Sequence, residues 1–139
     1  VLLIDCNLRN PVQHILFDVK NQGLTNHVVM DEDLTIHRNV MPHLDLISSG
    51  TAVESPSEVV DSHRLSTVFE YIRDEYDVIV VDTPSVLSVT DALVIAEKGD
   101  GVLFVVKGHY VQPDDMALAK QRLDQIGVPI IGSVFIDME

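Results

Sequence analysis

Two short stretches hold the residues best placed to do chemistry. In "LLID", ending at Asp5, and in "IVVD", ending at Asp82, an apolar run closes on a carboxylate. A carboxylate at the point where a buried strand ends leaves the dry core and faces whatever cleft the strand ends form. Two such groups side by side can hold Mg²⁺ through water and orient an attacking group near a phosphate. Either aspartate alone is as readily a turn former or a helix cap. The pair says more, because Thr83 and Pro84 follow Asp82. Proline fixes φ and lacks an N–H, which holds the exit loop in one shape.

Groups of this kind need a sheet to carry them. Five apolar runs stand out, at 1–5, 44–50, 77–82, 101–106 and 129–136. Several are nearly continuous and rich in β-branched residues rather than alternating, as in strands covered on both faces. Between them lie helical patterns. Leu65, Val68, Phe69 and Ile72 recur at three- and four-residue steps within 57–76, with Ser57 as a candidate cap. A shorter helix is expected over 88–100. Another is expected over 112–129, with Pro113 in its first turn and Gly127 as its stop. Short helices are expected over 10–19 and 23–30, and a loop over 31–43. Helices alternating with buried strands predict an α/β fold: a doubly wound, mostly parallel sheet with helices on both faces, in a single domain over 1–139. Ligands bind such sheets outside the carboxyl ends of the strands. The residues to examine are therefore Asp5–Arg9, Ser48–Thr51, Asp82–Ser85, Lys107–His109 and Ile136–Asp137.

Composition narrows the classes. The 139 residues are 46% hydrophobic, enough for a core, and contain no Trp, so Val, Ile and Leu must build it. Nine basic against 22 acidic residues give a net charge of −13, which argues against a nucleic-acid partner. Cys6 is the single cysteine, so no internal disulfide forms. Its acidic neighbours favour an inert thiol. The six histidines show no ligand spacing and read as surface residues. Ser85 and Ser88 lack a nucleophile elbow.

Taken together, these stretches resemble a family. "VLLIDCNLRNP" looks like the second Walker-type motif of the bacterial tyrosine kinases, a hydrophobic strand ending in Asp-x-Asp-x-Arg. "YDVIVVDTPSV" is similar to their Walker B motif. "SPSEVVDSHRLSTVFEYIRDEYD", "VTDALVIAEKGDGVLFVVKG" and "QRLDQIGVPIIGSV" follow the same family in order and spacing. The resemblance implies a P-loop NTPase fold and an autokinase that uses ATP and Mg²⁺. It implies residence at the cytoplasmic face of the bacterial membrane, and control of capsular or extracellular polysaccharide synthesis and export. It further implies a membrane polysaccharide co-polymerase, the chain-length determinant protein, as partner, and a homo-oligomeric parent. By the same resemblance Asp5 activates the incoming tyrosine hydroxyl, Asp82 binds Mg²⁺ through a water, and Arg9 lies near the phosphates or a subunit interface. Asn7, Thr83 and Pro84 would border the nucleotide.

The departures fall on the nucleotide site. The loop G-x-x-x-x-G-K-[ST] is absent from these residues. The family's second aspartate is Asn7, which keeps the shape but loses the charge. Its adenine-reading asparagine falls at Ile136. No tyrosine cluster follows, since Tyr71, Tyr76 and Tyr110 are scattered. Because the chain opens on Val1, the expectation is a start inside a longer product, with the Walker B strand short of one neighbour. Asn7 and Ile136 support a competing expectation, a degenerate, non-catalytic regulatory module.

Overall fold

A computed structural model describes residues 1–108 and 111–137; His109 and Tyr110, both named above, lie outside the described residues. The chain divides into two compact units, 1–84 and 85–139.

The first unit is built on a four-stranded sheet. Its strands are β1 (Leu2–Asp5), β2 (His37–Met41), β3 (Leu44–Ile47) and β4 (Ile79–Asp82), in the order β2-β3-β1-β4. β1 runs parallel to both β3 and β4, while β2 is antiparallel to β3. The central strands carry the core: Leu2, Ile4, Leu46 and Ile47 are fully buried. Each such side chain contributes about 1.5–3 kcal/mol through burial. Their cover includes α4 (His63–Arg73), whose buried face is Leu65, Val68 and Ile72, and α2 (Leu24–Val28), which buries Leu24 and Val28. α1 (Gln13–Leu16) is a single turn, shorter than the helix expected over 10–19. Among the described residues β4 forms an edge of this sheet and pairs with β1.

Two expectations need correction. The helix read over 57–76 is two helices, α3 (Pro56–Val60) and α4. Ser62 breaks them: its backbone is extended, and its Oγ accepts from the Leu65 N–H at 3.2 Å. Ser55, not Ser57, precedes the first turn, with Pro56 at the start. The loop expected over 31–43 contains β2. That strand escaped notice because "HRNVM" lacks alternation and carries a bulge at Asn39, where φ is 51°. Asp45 on β3 holds the bulge from the partner strand. Its Oδ1 accepts from the Asn39 N–H at 2.8 Å, and its Oδ2 accepts from Arg38 and the Tyr76 hydroxyl, both at 2.7 Å.

The second unit is a βαβ arrangement preceded by a helix. α5 (Asp91–Ala96) leads to β5 (Val102–Lys107), α6 (Pro113–Ile126) and β6 (Ile130–Ile136). β5 and β6 pair in parallel, as the crossover through α6 requires. Pro113 opens α6 and Gly127 closes it in the left-handed conformation, φ 73°. No helix among the described residues is long and apolar enough to cross a membrane.

Candidate active site

The two aspartates singled out from sequence lie side by side. β1 and β4 pair in register from Leu2↔Ile79 to Asp5↔Asp82, so both carboxylates leave the sheet at one level. The Cys6 N–H donates to the Asp82 carbonyl at 2.8 Å, which carries the ladder one residue past β1.

Beyond Asp5 the chain folds back over the carboxylate. Asp5 Oδ1 accepts from the Asn7 N–H at 3.1 Å; Oδ2 accepts from the N–H groups of Val12 and Gln13, both at 3.2 Å. Asp5 therefore also does the bland work of a turn former, fixing residues 6–13 and the start of α1. Burial drives its pKa above the usual carboxylate value; the three N–H donors pull it down and Asp82 pushes it up. An ionised carboxylate offers about four acceptor positions, so these three bonds leave roughly one, and the fold keeps it from solvent: Asp5 is fully buried rather than open to a cleft.

Around the pair, Asn7 is half-buried and its Oδ1 accepts from the Asn10 N–H at 3.3 Å. Arg9 sits exposed on the same turn. Thr83 donates its hydroxyl to the Pro84 carbonyl at 3.2 Å, which closes the exit loop on itself. Cys6 is buried, and burial, with both aspartates, drives its thiol far up, in keeping with an inert role. Ile136 ends β6 and Lys107 ends β5, both in the second unit.

Sequence reasoning missed Gln13. Its side-chain Nε2 donates to Asp82 Oδ2 at 2.8 Å while its backbone N–H donates to Asp5. One residue thus touches both carboxylates. The only available signal was position: a polar residue eight beyond Asp5, in the first turn after a strand.

The loop after β3 is braced beside β1. The carbonyls of Ser48 and Ser49 accept from the N–H groups of Leu24 and Thr25, both at 2.9 Å, which satisfies the start of α2. Gly23 is required there, since a Cβ would lie 1.9 Å from the Ser48 carbonyl oxygen.

The donor set at this level is the hard oxygens of two carboxylates, with the Gln13 amide nitrogen turned toward Asp82. That set fits Mg²⁺, which takes one or two carboxylates and keeps several waters. Of the two carboxylates Asp82 is the less committed, since the Asp5 oxygens are largely spent on backbone N–H groups.

No family profile matches the chain. It is 34% identical over 140 residues to the tyrosine-protein kinase Etk of Escherichia coli K12, covering 96% of this chain and 19% of that protein. The solved kinase domain of E. coli Etk superposes with a TM-score of 0.90 at 33% identity, over 99% of this chain and 55% of that one. The chain belongs to the bacterial tyrosine kinase family. Within the family, the VpsO kinase domain superposes with a TM-score of 0.94 at 27% identity, over 99% of this chain and 70% of that one. The tyrosine-protein kinase YwqD of Bacillus subtilis is 28% identical over 137 residues, covering 96% of this chain and 58% of that protein. The chain therefore spans about a fifth of Etk and under two thirds of YwqD.

Proposed function

We propose that this chain is the carboxylate-bearing part of a protein-tyrosine kinase domain that transfers the terminal phosphoryl group of ATP to a tyrosine hydroxyl. The observation that carries the reading is the Asp5↔Asp82 register at the ends of two parallel strands. Asp82 would hold Mg²⁺, which when bound would supply charge neutralisation on the phosphates. Asp5 takes the proton of the incoming tyrosine hydroxyl; its raised pKa moves it toward the range where a general base works near neutrality. Arg9, exposed on the turn between them and α1, faces the phosphates or a neighbouring subunit. Asn7, Thr83 and Pro84 border the nucleotide, the last two as a rigid exit loop.

The wider setting rests on the same family. It comprises a homo-oligomeric parent at the cytoplasmic face of the bacterial membrane, a membrane polysaccharide co-polymerase as partner, and control of capsule or exopolysaccharide synthesis and export. The test is phosphotyrosine content of the full-length gene product carrying Asp82→Ala. Loss of the modification supports the reading; undiminished modification overturns it.

Asn7 favours a second reading, a degenerate regulatory module that keeps the fold without the chemistry. Under that reading Asp82→Ala changes nothing, because the unsubstituted protein carries no phosphotyrosine of its own making.

A further inference from the structure

The Gln13 side chain closes on Asp82, and nothing in the phosphoryl-transfer reading uses it. Its anchor and its reach are separate. The anchor is the backbone N–H, held by Asp5 Oδ2 at 3.2 Å; the reach is the amide, which donates from Nε2 to Asp82 Oδ2 at 2.8 Å. An N–H donor places partial positive charge on a carboxylate lone pair. A divalent cation bound through Oδ2, or the water it polarises, competes with that donor for the electron density of this oxygen, while Gln13 leaves Oδ1 open.

We infer that Gln13 is a positioning residue that latches Asp82 Oδ2 in the cation-free state and weakens divalent-cation binding through that oxygen until its amide is released. The inference rests on the kinase reading of Asp82 and adds a regulated entry step to it. Release is cheap in structural terms. The three side-chain torsions of Gln13 can swing the amide away while the backbone bond to Asp5 keeps α1 capped. The amide is also two-faced: rotated, it presents Oε1, an acceptor suited to a cation-bound water. The same side chain thus holds the Asp82 carboxylate when the cation is away and can hydrogen-bond a cation-bound water when it is present.

The test is Mn²⁺ affinity, with Mn²⁺ alone as probe, measured by the electron paramagnetic resonance signal of the free ion on the 139-residue chain. Four variants are compared with the unsubstituted chain: Gln13→Leu, Gln13→Asn, Gln13→Glu and Asp82→Asn. Gln13→Leu removes the competing donor and tightens binding, by roughly ten-fold if the full worth of a hydrogen bond to a charged group is recovered. Gln13→Asn stays polar but is one methylene too short, so it behaves like the leucine variant. Gln13→Glu replaces the donor with a further ligand and binds tightest. All three keep the backbone N–H that Asp5 accepts, and thermal melting confirms that they fold. If Gln13→Leu and Gln13→Asn bind Mn²⁺ no better than the unsubstituted chain, while Asp82→Asn abolishes binding, the latch is wrong and the kinase reading stands. If Asp82→Asn binds Mn²⁺ unchanged, the cation does not use Asp82 and both are wrong. Absence of binding in every variant also overturns the latch, because removing it must uncover a site.

Discussion

Asp5 and Asp82 occupy one level of two neighbouring parallel strands, and a single residue, Gln13, donates to both carboxylates. The arrangement follows from simple constraints. Parallel pairing fixes the register, the apolar residues of β1 and β4 hold it, and each strand spends its last position on a charge. A slip of one residue in either strand would turn its carboxylate into the opposite face of the sheet.

The first prediction concerns Asp5 as a structural acceptor. Asp5→Ala removes the partner of three backbone N–H groups, at about 1 kcal/mol net each, so the loss is on the order of 3 kcal/mol. Asp5→Asn keeps one acceptor oxygen and loses less. Urea unfolding of the two variants measures the difference; equal, negligible losses would show that residues 6–13 do not depend on this carboxylate.

Acid stability separates two aspartates by sign. The Asn39 N–H, then Tyr76 and Arg38, hold the Asp45 pKa down to about 2 against a usual 3.8. The native state therefore releases the Asp45 proton more readily than the unfolded chain. Its contribution is complete above pH 3.8 and is lost as the pH falls toward 2. Asp5 is raised, so the native state holds its proton more tightly. Its contribution is greatest in acid and fades as the pH rises from 3.8 through the raised value. Asp45→Asn should flatten the loss of stability below pH 4, and Asp5→Asn should flatten the opposing trend above it, both read from denaturant midpoints against pH.

Asn7→Asp restores the charge that the family pattern has at this position. The Asn10 N–H that Asn7 Oδ1 accepts can be kept by an aspartate. The expected cost without cation is about 1 kcal/mol or less, from like charge near Asp5 and Asp82. The expected gain is tighter Mn²⁺ binding, on the order of ten-fold. Calorimetric titration checks both the affinity and its dependence on Asp82.

Gly23→Ala tests the brace beside β1. The added Cβ meets the Ser48 carbonyl oxygen at 1.9 Å, a backbone atom that cannot step aside without pulling on β3. A loss of about 2–3 kcal/mol follows. Gly99→Ala is the control, since its nearest contact is 3.5 Å. Melting temperatures that match for the two variants would show the brace to be unimportant.

Much of this was legible in the sequence, for identifiable reasons. Apolar runs rich in β-branched residues marked β1, β3, β4, β5 and β6. The two-faced burial such runs suggest holds best for β1, while β4, β5 and β6 leave Val80, Leu103 and Phe135 exposed. Asp5 and Asp82 stood out because a charge ends each of two such runs. What stayed hidden depended on partners distant in sequence. β2 is a polar strand with a bulge, fixed by Asp45 through contacts that "HRNVM" does not encode. The division between α3 and α4 turns on Ser62 satisfying a helix start from within an apparently continuous periodic pattern. Gln13 became visible only once the turn after Asp5 had folded back, 69 residues away in sequence from the carboxylate it touches.

The most direct test of the central claim is calorimetric titration of ATP, with and without Mg²⁺, into the full-length gene product and its Asp82→Asn variant. The account predicts that Mg²⁺ strengthens ATP binding in the unsubstituted protein and that Asp82→Asn removes this enhancement. Equal enhancement in both proteins, or none in either, would contradict the assignment of Asp82 to the cation and with it the phosphoryl-transfer site.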